Sequence, residues 1–325
     1  MINPENFKKQ IFSLQSNQFN DYALSVFEYQ YTYNDVYQTY CVQLGKNPSN
    51  VSDIQSIPFL PIEFFKTQKV VTGKWESEKI FKSSGTTLQS RSKHHVKDVE
   101  FYHHVTKHTF EKFYGSLSEY EILALLPSYQ EQGDSSLISM IDYFMKFASS
   151  DSSYYLHNHQ ELIQRLQNSS NKKKLIIGVS YALLDLTEYQ FTQNPDLLIM
   201  ETGGMKGRRK ELIREELHNI FKQKFGVREV HSEYGMSELS SQGYSINGIF
   251  QLPNWSKILI RDTNDPFTYL NENKTGGINI IDLANIHSCS FIETKDLGKL
   301  HSNGTFEVLG RFDNSDIRGC NLLIS

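Results

Sequence analysis

From Lys79 to about Tyr234 short apolar runs alternate with stretches of helical spacing. The runs lie at 121–126, 154–156, 175–179, 196–200 and 227–231, and helical spacing fills 136–147, 160–167, 181–192 and 206–224. Strand followed by helix, repeated, predicts an α/β fold: a largely parallel sheet with flanking helices. In such sheets ligands bind beyond the carboxyl ends of the strands. This expected α/β core spans residues 79–243.

The flanks read differently. Phe19, Ala23, Val26, Phe27, Val36, Tyr37, Tyr40, Cys41 and Leu44 recur near 3.6 residues, with Gly45 as a stop, so residues 1–78 form an N-terminal helical segment packed on the core. The prolines of Ile57-Pro-Phe-Leu-Pro61 turn the end of that segment into extended chain. After Gly243, runs at 246–251, 257–261, 277–283, 290–293 and 305–309 predict a C-terminal β-rich subdomain over 244–310, followed by a tail at 311–325. Asn171-Lys-Lys-Lys174 reads as a solvated turn before a strand.

A net charge of −4 over 325 residues argues against a nucleic-acid partner. No apolar run reaches the roughly 18–20 residues of a membrane span. Met-Ile-Asn-Pro-Glu-Asn6 lacks the basic and apolar regions of a signal peptide, so a cytoplasmic location is expected. Of the three cysteines, Cys41 and Cys289 read as buried structural thiols, and Cys320 stands apart near the last residue.

Several loops carry chemical content. Phe81-Lys-Ser-Ser-Gly-Thr-Thr-Leu-Gln-Ser-Arg-Ser-Lys93 lies between a strand-like run and a helical pattern that Gly115 ends. Small residues let backbone N–H groups crowd round an anion, and the hydroxyls of Ser83, Ser84, Thr86 and Thr87 add donors beside Gly85. An ordinary Ser/Thr-rich turn has the same composition. Met200-Glu-Thr-Gly-Gly-Met-Lys-Gly-Arg-Arg-Lys210 offers paired glycines, Gly203 and Gly204, for close approach of a flat ligand. His231-Ser-Glu-Tyr-Gly-Met-Ser-Glu-Leu239 ends a strand with Glu238, a carboxylate that can join phosphates by sharing a divalent cation. Thr294-Lys-Asp-Leu-Gly298 and Gly310-Arg-Phe-Asp-Asn-Ser-Asp-Ile-Arg-Gly-Cys320 supply acids and arginines suited to a ribose diol and a phosphate.

In order, SSGTT, a GG loop, YGMSE, KDLGKL and GRFDNSDIRG resemble the signature of the adenylate-forming, acyl-CoA synthetase-like superfamily from Phe81 to Gly319. Ile57-Pro-Phe-Leu-Pro61, Leu126-Pro-Ser-Tyr-Gln-Glu-Gln-Gly-Asp-Ser-Ser-Leu137 and Glu201-Thr-Gly-Gly-Met-Lys-Gly-Arg208 are similar to the acyl-protein synthetase (LuxE-like) family across nearly the whole chain. The resemblance implies a ligase that uses ATP and Mg²⁺ to turn a long-chain fatty acid into an acyl-adenylate. Ser83, Ser84, Gly85, Thr86 and Thr87 would hold phosphates. Gly203 and Gly204 would flank adenine, with Tyr234, Gly235, Met236 and Ser237 beside the nucleotide. Glu238 would hold Mg²⁺, Asp296 the ribose hydroxyls and Arg311 the ribose or α-phosphate, with Asp313 at the hinge between domains. Cys320 would receive the acyl group as a thioester and pass it to an acyl-accepting or reductase partner protein. Two departures accompany the match. Leu88 follows Thr87 where the superfamily has Gly and Lys, the basic residues coming later at Arg91 and Lys93. The superfamily's mobile C-terminal domain, with its lysine, is expected to be missing or a stub here.

Other readings stay open: an acyl-CoA ligase-like enzyme, or a degenerate module that binds nucleotide or acyl chains. Gly133-Asp-Ser-Ser-Leu137 has the flavour of a serine-esterase block, but no Asp-x-x-His follows it. His94, His95, His103, His104 and His108 lack the HExxH pattern of a zinc site, and are expected to be solvated or capping.

Overall fold

The computed structural model describes residues 2–83, 90–190, 192, 194–203 and 212–311. The chain divides into two compact units. One joins the N-terminal segment through Lys74 with the residues from Asn254 on, and the other is Trp75–Pro253.

The first unit begins with helices α1 (Pro4–Gln10), α2 (Phe19–Tyr33) and α3 (Asp35–Gln43). Asn3 and Asn34 cap α1 and α3 by accepting backbone hydrogen bonds, which satisfies N–H groups the helices cannot pair themselves. Strand β1 (Leu60–Pro61) and the one-turn helix α4 (Phe64–Thr67) follow.

The second unit holds the parallel sheet. A separate hairpin of β2 (Lys79–Lys82) and β3 (Lys93–Val96) leads to α5 (Val99–Tyr114), capped by Asp98 and ended by Gly115 at φ 83°. Then come β4 (Tyr120–Leu125), α6 (Tyr129–Gln132), α7 (Ser136–Met145), β5 (Ser153–Tyr154) and α8 (His159–Gln167). These are followed by β6 (Lys173–Val179), α9 (Ser180–Leu186), β7 (Leu198–Thr202), α10 (Arg214–Phe225) and β8 (His231–Tyr234). The hairpin of β9 (Gly243–Ile246) and β10 (Ile249–Gln251) closes the unit. The order is β5-β4-β6-β7-β8-β9-β10, parallel through β8 and antiparallel beyond. Every residue of β4 is buried, as expected of a strand covered on both faces. Phe110, Phe144, Phe221 and Phe225 from the helices pack on Ile122, Ile176, Ile199 and Met200 of the strands. Each such side chain contributes about 1.5–3 kcal/mol on burial.

The first unit is completed by β11 (Ser256–Arg261), β12 (Thr275–Asp282), β13 (Phe291–Leu300) and β14 (Phe306–Arg311), an antiparallel set with β1 parallel to β13. Gln30 of α2, fully buried, donates to the carbonyls of Asn285 (3.0 Å) and Ile286 (3.2 Å) and accepts from Ser290 N (2.9 Å). Phe27, Tyr37, Phe59 and Phe291 form one aromatic cluster above that sheet.

Several expectations need correction. The strand expected at 227–231 is β8, which starts at His231, because its pairing partners on β7 are Met200 to Thr202. The run at 246–251 is a hairpin turning at Asn247 (φ 52°) and Gly248 (φ 88°), the left-handed pair that a two-residue turn requires. The run expected at 290–293 extends through Leu300, so the Lys-Asp-Leu-Gly motif is strand. The helix expected to reach 192 ends at Leu186. Lys174 is buried, donating to the carbonyls of Arg165, Leu166 and Asn168 where α8 ends.

Candidate active site

At the carboxyl edge of the parallel sheet, β7 and β8 end side by side in acids. Glu201 on β7 is buried, with Arg214 Nε at 3.4 Å and His218 Nε2 at 3.8 Å from its Oε1. Ser180, the first residue of α9, donates to Glu201 Oε2 (3.0 Å) and can alternatively donate to Gly203 O (2.7 Å). Burial pushes the Glu201 carboxyl up, but the bond from His218 and the charge of Arg214 outweigh it and hold it low. Gly203 follows in the left-handed region at φ 67°, and among the described residues a Cβ there would meet nothing within 4 Å.

The strand β8 carries the second acid. Glu233 accepts from Thr202 Oγ1 across the β7–β8 pair and reaches under Gly235. Tyr234, half-buried, packs edge-on to Phe250 at 5.9 Å, and the Arg214 guanidinium covers the same Phe250 ring at 5.1 Å. The loop then turns through Met236, whose carbonyl accepts from Leu239 N (3.1 Å). His94 of β3 is buried and donates from Nδ1 to Ser237 O (2.8 Å), which defines its neutral tautomer. Burial lowers its pKa to about 4, against the pull of that carbonyl. His94 is therefore a buried loop anchor, where a solvated or capping residue was expected. Glu238 is buried just beyond.

Of the Ser-Ser-Gly-Thr-Thr motif only Ser83, next to the β2–β3 pair, is among the described residues. Ser83 Oγ accepts from Ser92 N (3.0 Å), leaving its own hydrogen for another acceptor. Arg91 donates from Nε to Ser83 O and from Nη1 to Asp134 Oδ2 (3.2 Å), and Lys82 pairs with the same carboxylate (3.3 Å). Burial pushes Asp134 up, and the charges of Arg91 and Lys82 more than reverse it. The Gly-Asp-Ser-Ser block thus has a bracing role: Asp134 ties the hairpin to the α6–α7 turn, and Ser135 caps α7. Neither Asp134 nor His94 was legible as a contact, because 43 residues separate Asp134 from Arg91 and 143 separate His94 from Ser237.

In the first unit Asp296 and Arg311 are register partners, with Arg311 Nε 3.0 Å from Asp296 Oδ1. Asp296 is buried and Arg311 exposed. Cys41 and Cys289 are both fully buried, and burial pushes the Cys41 thiol up to about 12. Ser84, Gly85, Thr86, Thr87, Gly204, Asp313 and Cys320 lie outside the described residues.

Solved adenylate-forming acyl-CoA ligases share this fold. ATP-bound MatB from Rhodopseudomonas palustris superposes with a TM-score of 0.54 at 15% identity, over 71% of this chain and 47% of that one. For o-succinylbenzoate CoA synthetase (MenE) from Bacillus subtilis, bound with a product analogue, the values are 0.54, 16%, 73% and 50%. An open form of 2-hydroxyisobutyryl-CoA ligase, in complex with 2-HIB-AMP and CoA, gives 0.66 at 10% identity, over 97% and 80%. The chain spans about half the length of the MatB and MenE structures. Within that fold it belongs to the acyl-protein synthetase (LuxE) family, matched over residues 10–325. Compared by sequence with curated proteins, the chain matches none. Among the described residues no helix is long and apolar enough to cross a membrane.

Proposed function

We propose that this chain uses ATP to activate a carboxylic acid, a long-chain fatty acid, and passes the acyl group to a thiol. The family match over residues 10–325 carries this reading, supported by the acid-bearing loops at the carboxyl edge. A carboxylate oxygen attacks the α-phosphorus of ATP, the bond to the bridging oxygen breaks, and pyrophosphate leaves. Ser83 to Thr87 are assigned to the phosphates, Gly203, Gly204 and Tyr234 to Ser237 to the nucleoside side, and Asp296 with Arg311 to the ribose. Glu238 is a hard oxygen donor of the kind Mg²⁺ takes one or two of beside phosphates, and its donor chemistry fits that ion. Mg²⁺, when bound, would offset negative charge on the phosphates. His94 holds the loop that carries Glu238, through Ser237.

The acyl carbonyl is then attacked by a thiolate, with AMP leaving. Cys320 is the proposed nucleophile, because burial disfavours the thiolates of Cys41 and Cys289. A partner protein, an acceptor or a reductase, would take the acyl group onward. Coenzyme A is the second candidate acceptor: 2-hydroxyisobutyryl-CoA ligase was captured with CoA.

ATP–pyrophosphate exchange over a panel of carboxylic acids tests the first half. Exchange that depends on a fatty acid is expected, and ATP binding without exchange would point to a binding module instead. Intact-mass measurement tests the second half. An adduct released by neutral hydroxylamine and lost in Cys320→Ser is expected, and acyl transfer to free coenzyme A without an adduct would overturn the thioester role.

A further inference from the structure

The loops assigned to the nucleotide leave from neighbouring strands, and one side chain touches the last residue of β7 and the Gly235 turn. Glu233 Oε2 accepts from Thr202 Oγ1, one residue before Gly203. Its Oε1 lies beneath Gly235, where a Cβ would come within 2.3 Å of it and within 3.5 Å of Gln242 Cγ. Gly235 is therefore required by this carboxyl as much as by any ligand. Thr202 is the register partner of Glu233 on β7, and Tyr244 is its partner on β9. Gln242 Oε1 is buried and has no hydrogen-bond partner among the described residues, and the same holds for Tyr244 OH.

We propose that Glu233 is a positioning residue for acid activation, tying the Gly203 loop to the loop from Gly235 to Glu238. This rests on the adenylation reading, which gives those loops the nucleotide and the metal. The tie is made by the protonated acid. The ionisable groups around the carboxyl are Glu201 on β7, Tyr102 on α5 and Tyr244 on β9. Burial pushes the Glu233 carboxyl up to about 7, opposed by the Thr202 hydroxyl and reinforced by the charge of Glu201. As an acid it accepts from Thr202 without setting a buried charge beside Glu201. Ionisation sets a second buried charge beside Glu201, which draws the carboxylate toward water and away from Thr202 and Gly235. The spacing of the two loops, and with it nucleotide affinity, is then lost as pH rises through neutrality.

The test compares wild type with Glu233→Gln, which keeps a neutral group of the same shape, and Glu233→Ala, which removes the tie. Thermal unfolding without ligand reads the proton. The native state keeps it after the unfolded chain has released it near 4.5, so wild type should lose stability relative to Glu233→Gln from about pH 4.5 to about 7, then level off. Calorimetry with ATP and Mg²⁺ reads the positioning. Wild-type affinity should fall about tenfold between pH 6 and pH 8.5, Glu233→Gln should hold the pH 6 value throughout, and Glu233→Ala should be about tenfold weaker at every pH. Parallel melting profiles, a Gln variant that follows the wild-type alkaline fall, or unimpaired binding by Glu233→Ala would each overturn the proposal. Binding that follows Glu233 without any pyrophosphate exchange would support the tie and sink adenylation. No ATP binding by wild type at any pH would overturn both.

Discussion

Arg261 and Glu201 are charged side chains with almost no exposed surface, one in each unit. Arg261 ends the edge strand β11 and its side chain reaches across the sheet, donating to Ile278 O (3.0 Å), Asn279 Oδ1 (2.9 Å) and Thr294 O (2.7 Å), with Glu293 at 3.5 Å. Its partners lie on the two strands that follow β11 in the sheet, so it serves as a cross-strand bolt. Glu201 also has its partners, Arg214, His218 and Ser180, but it stands at the end of a parallel strand where the chain opens into the Gly203 turn. Burial of a charge is common to both and does not distinguish structure from function. Position in the topology does: strand ends of a parallel sheet feed separate loops, and groups there can face a ligand.

This contrast can be broken experimentally. The largest effect is expected at Gly277, where an added Cβ would stand 2.5 Å from the Arg261 guanidinium carbon. Gly277→Val should displace that group from its acceptors and cost about 3 kcal/mol or more in urea denaturation. A loss under about 1 kcal/mol would show that the bolt is dispensable. Glu238→Gln, at the carboxyl edge, should do the reverse. Its unfolding curve should match wild type while carboxylate-dependent pyrophosphate release falls about 100-fold, as for removal of a metal-binding group. Full activity would end the metal assignment.

His94 should give the smallest effect, one that depends on pH. Its native pKa near 4 lies below the ordinary 6.5, so the unfolded chain takes a proton that the folded one refuses. Stability is lost as pH falls from about 6.5 toward 4, by about 2 kcal/mol at pH 5. Comparing wild type with His94→Gln at pH 5 and pH 7 isolates this from the opposite trend of Glu233. Equal losses in the two proteins would mean that the imidazole is not held neutral.

Much of the fold was legible because local rules and burial agree. The apolar runs Ile122–Leu125 of β4 and Leu175–Val179 of β6 announce strands covered on both faces, and Gly115 ends α5 where its spacing predicts. The ordered motifs gave the family for a similar reason: each is a contiguous stretch of sequence. Boundaries were less legible where pairing overrides propensity. Val227 and Val230 look like strand yet are core residues of the connection before β8, whose register is set by β7. The Asn247-Gly248 turn was hidden because the run continues in apolar residues on both sides.

By itself the sequence determined the strand–helix alternation, the loops that end those strands, and the burial of Cys41 and Cys289, since each depends on near neighbours in the chain. Only the tertiary structure decided that His94 grips Ser237, that Asp134 braces Arg91, that Lys174 is buried, and that Glu233 lies between Thr202 and Gly235. Those contacts depend on which strands lie side by side, and on how far each carboxyl or imidazole is removed from water. Neither is a property of any short stretch of residues, so the same His, Asp, Lys and Glu would have been solvated had the strands been ordered otherwise.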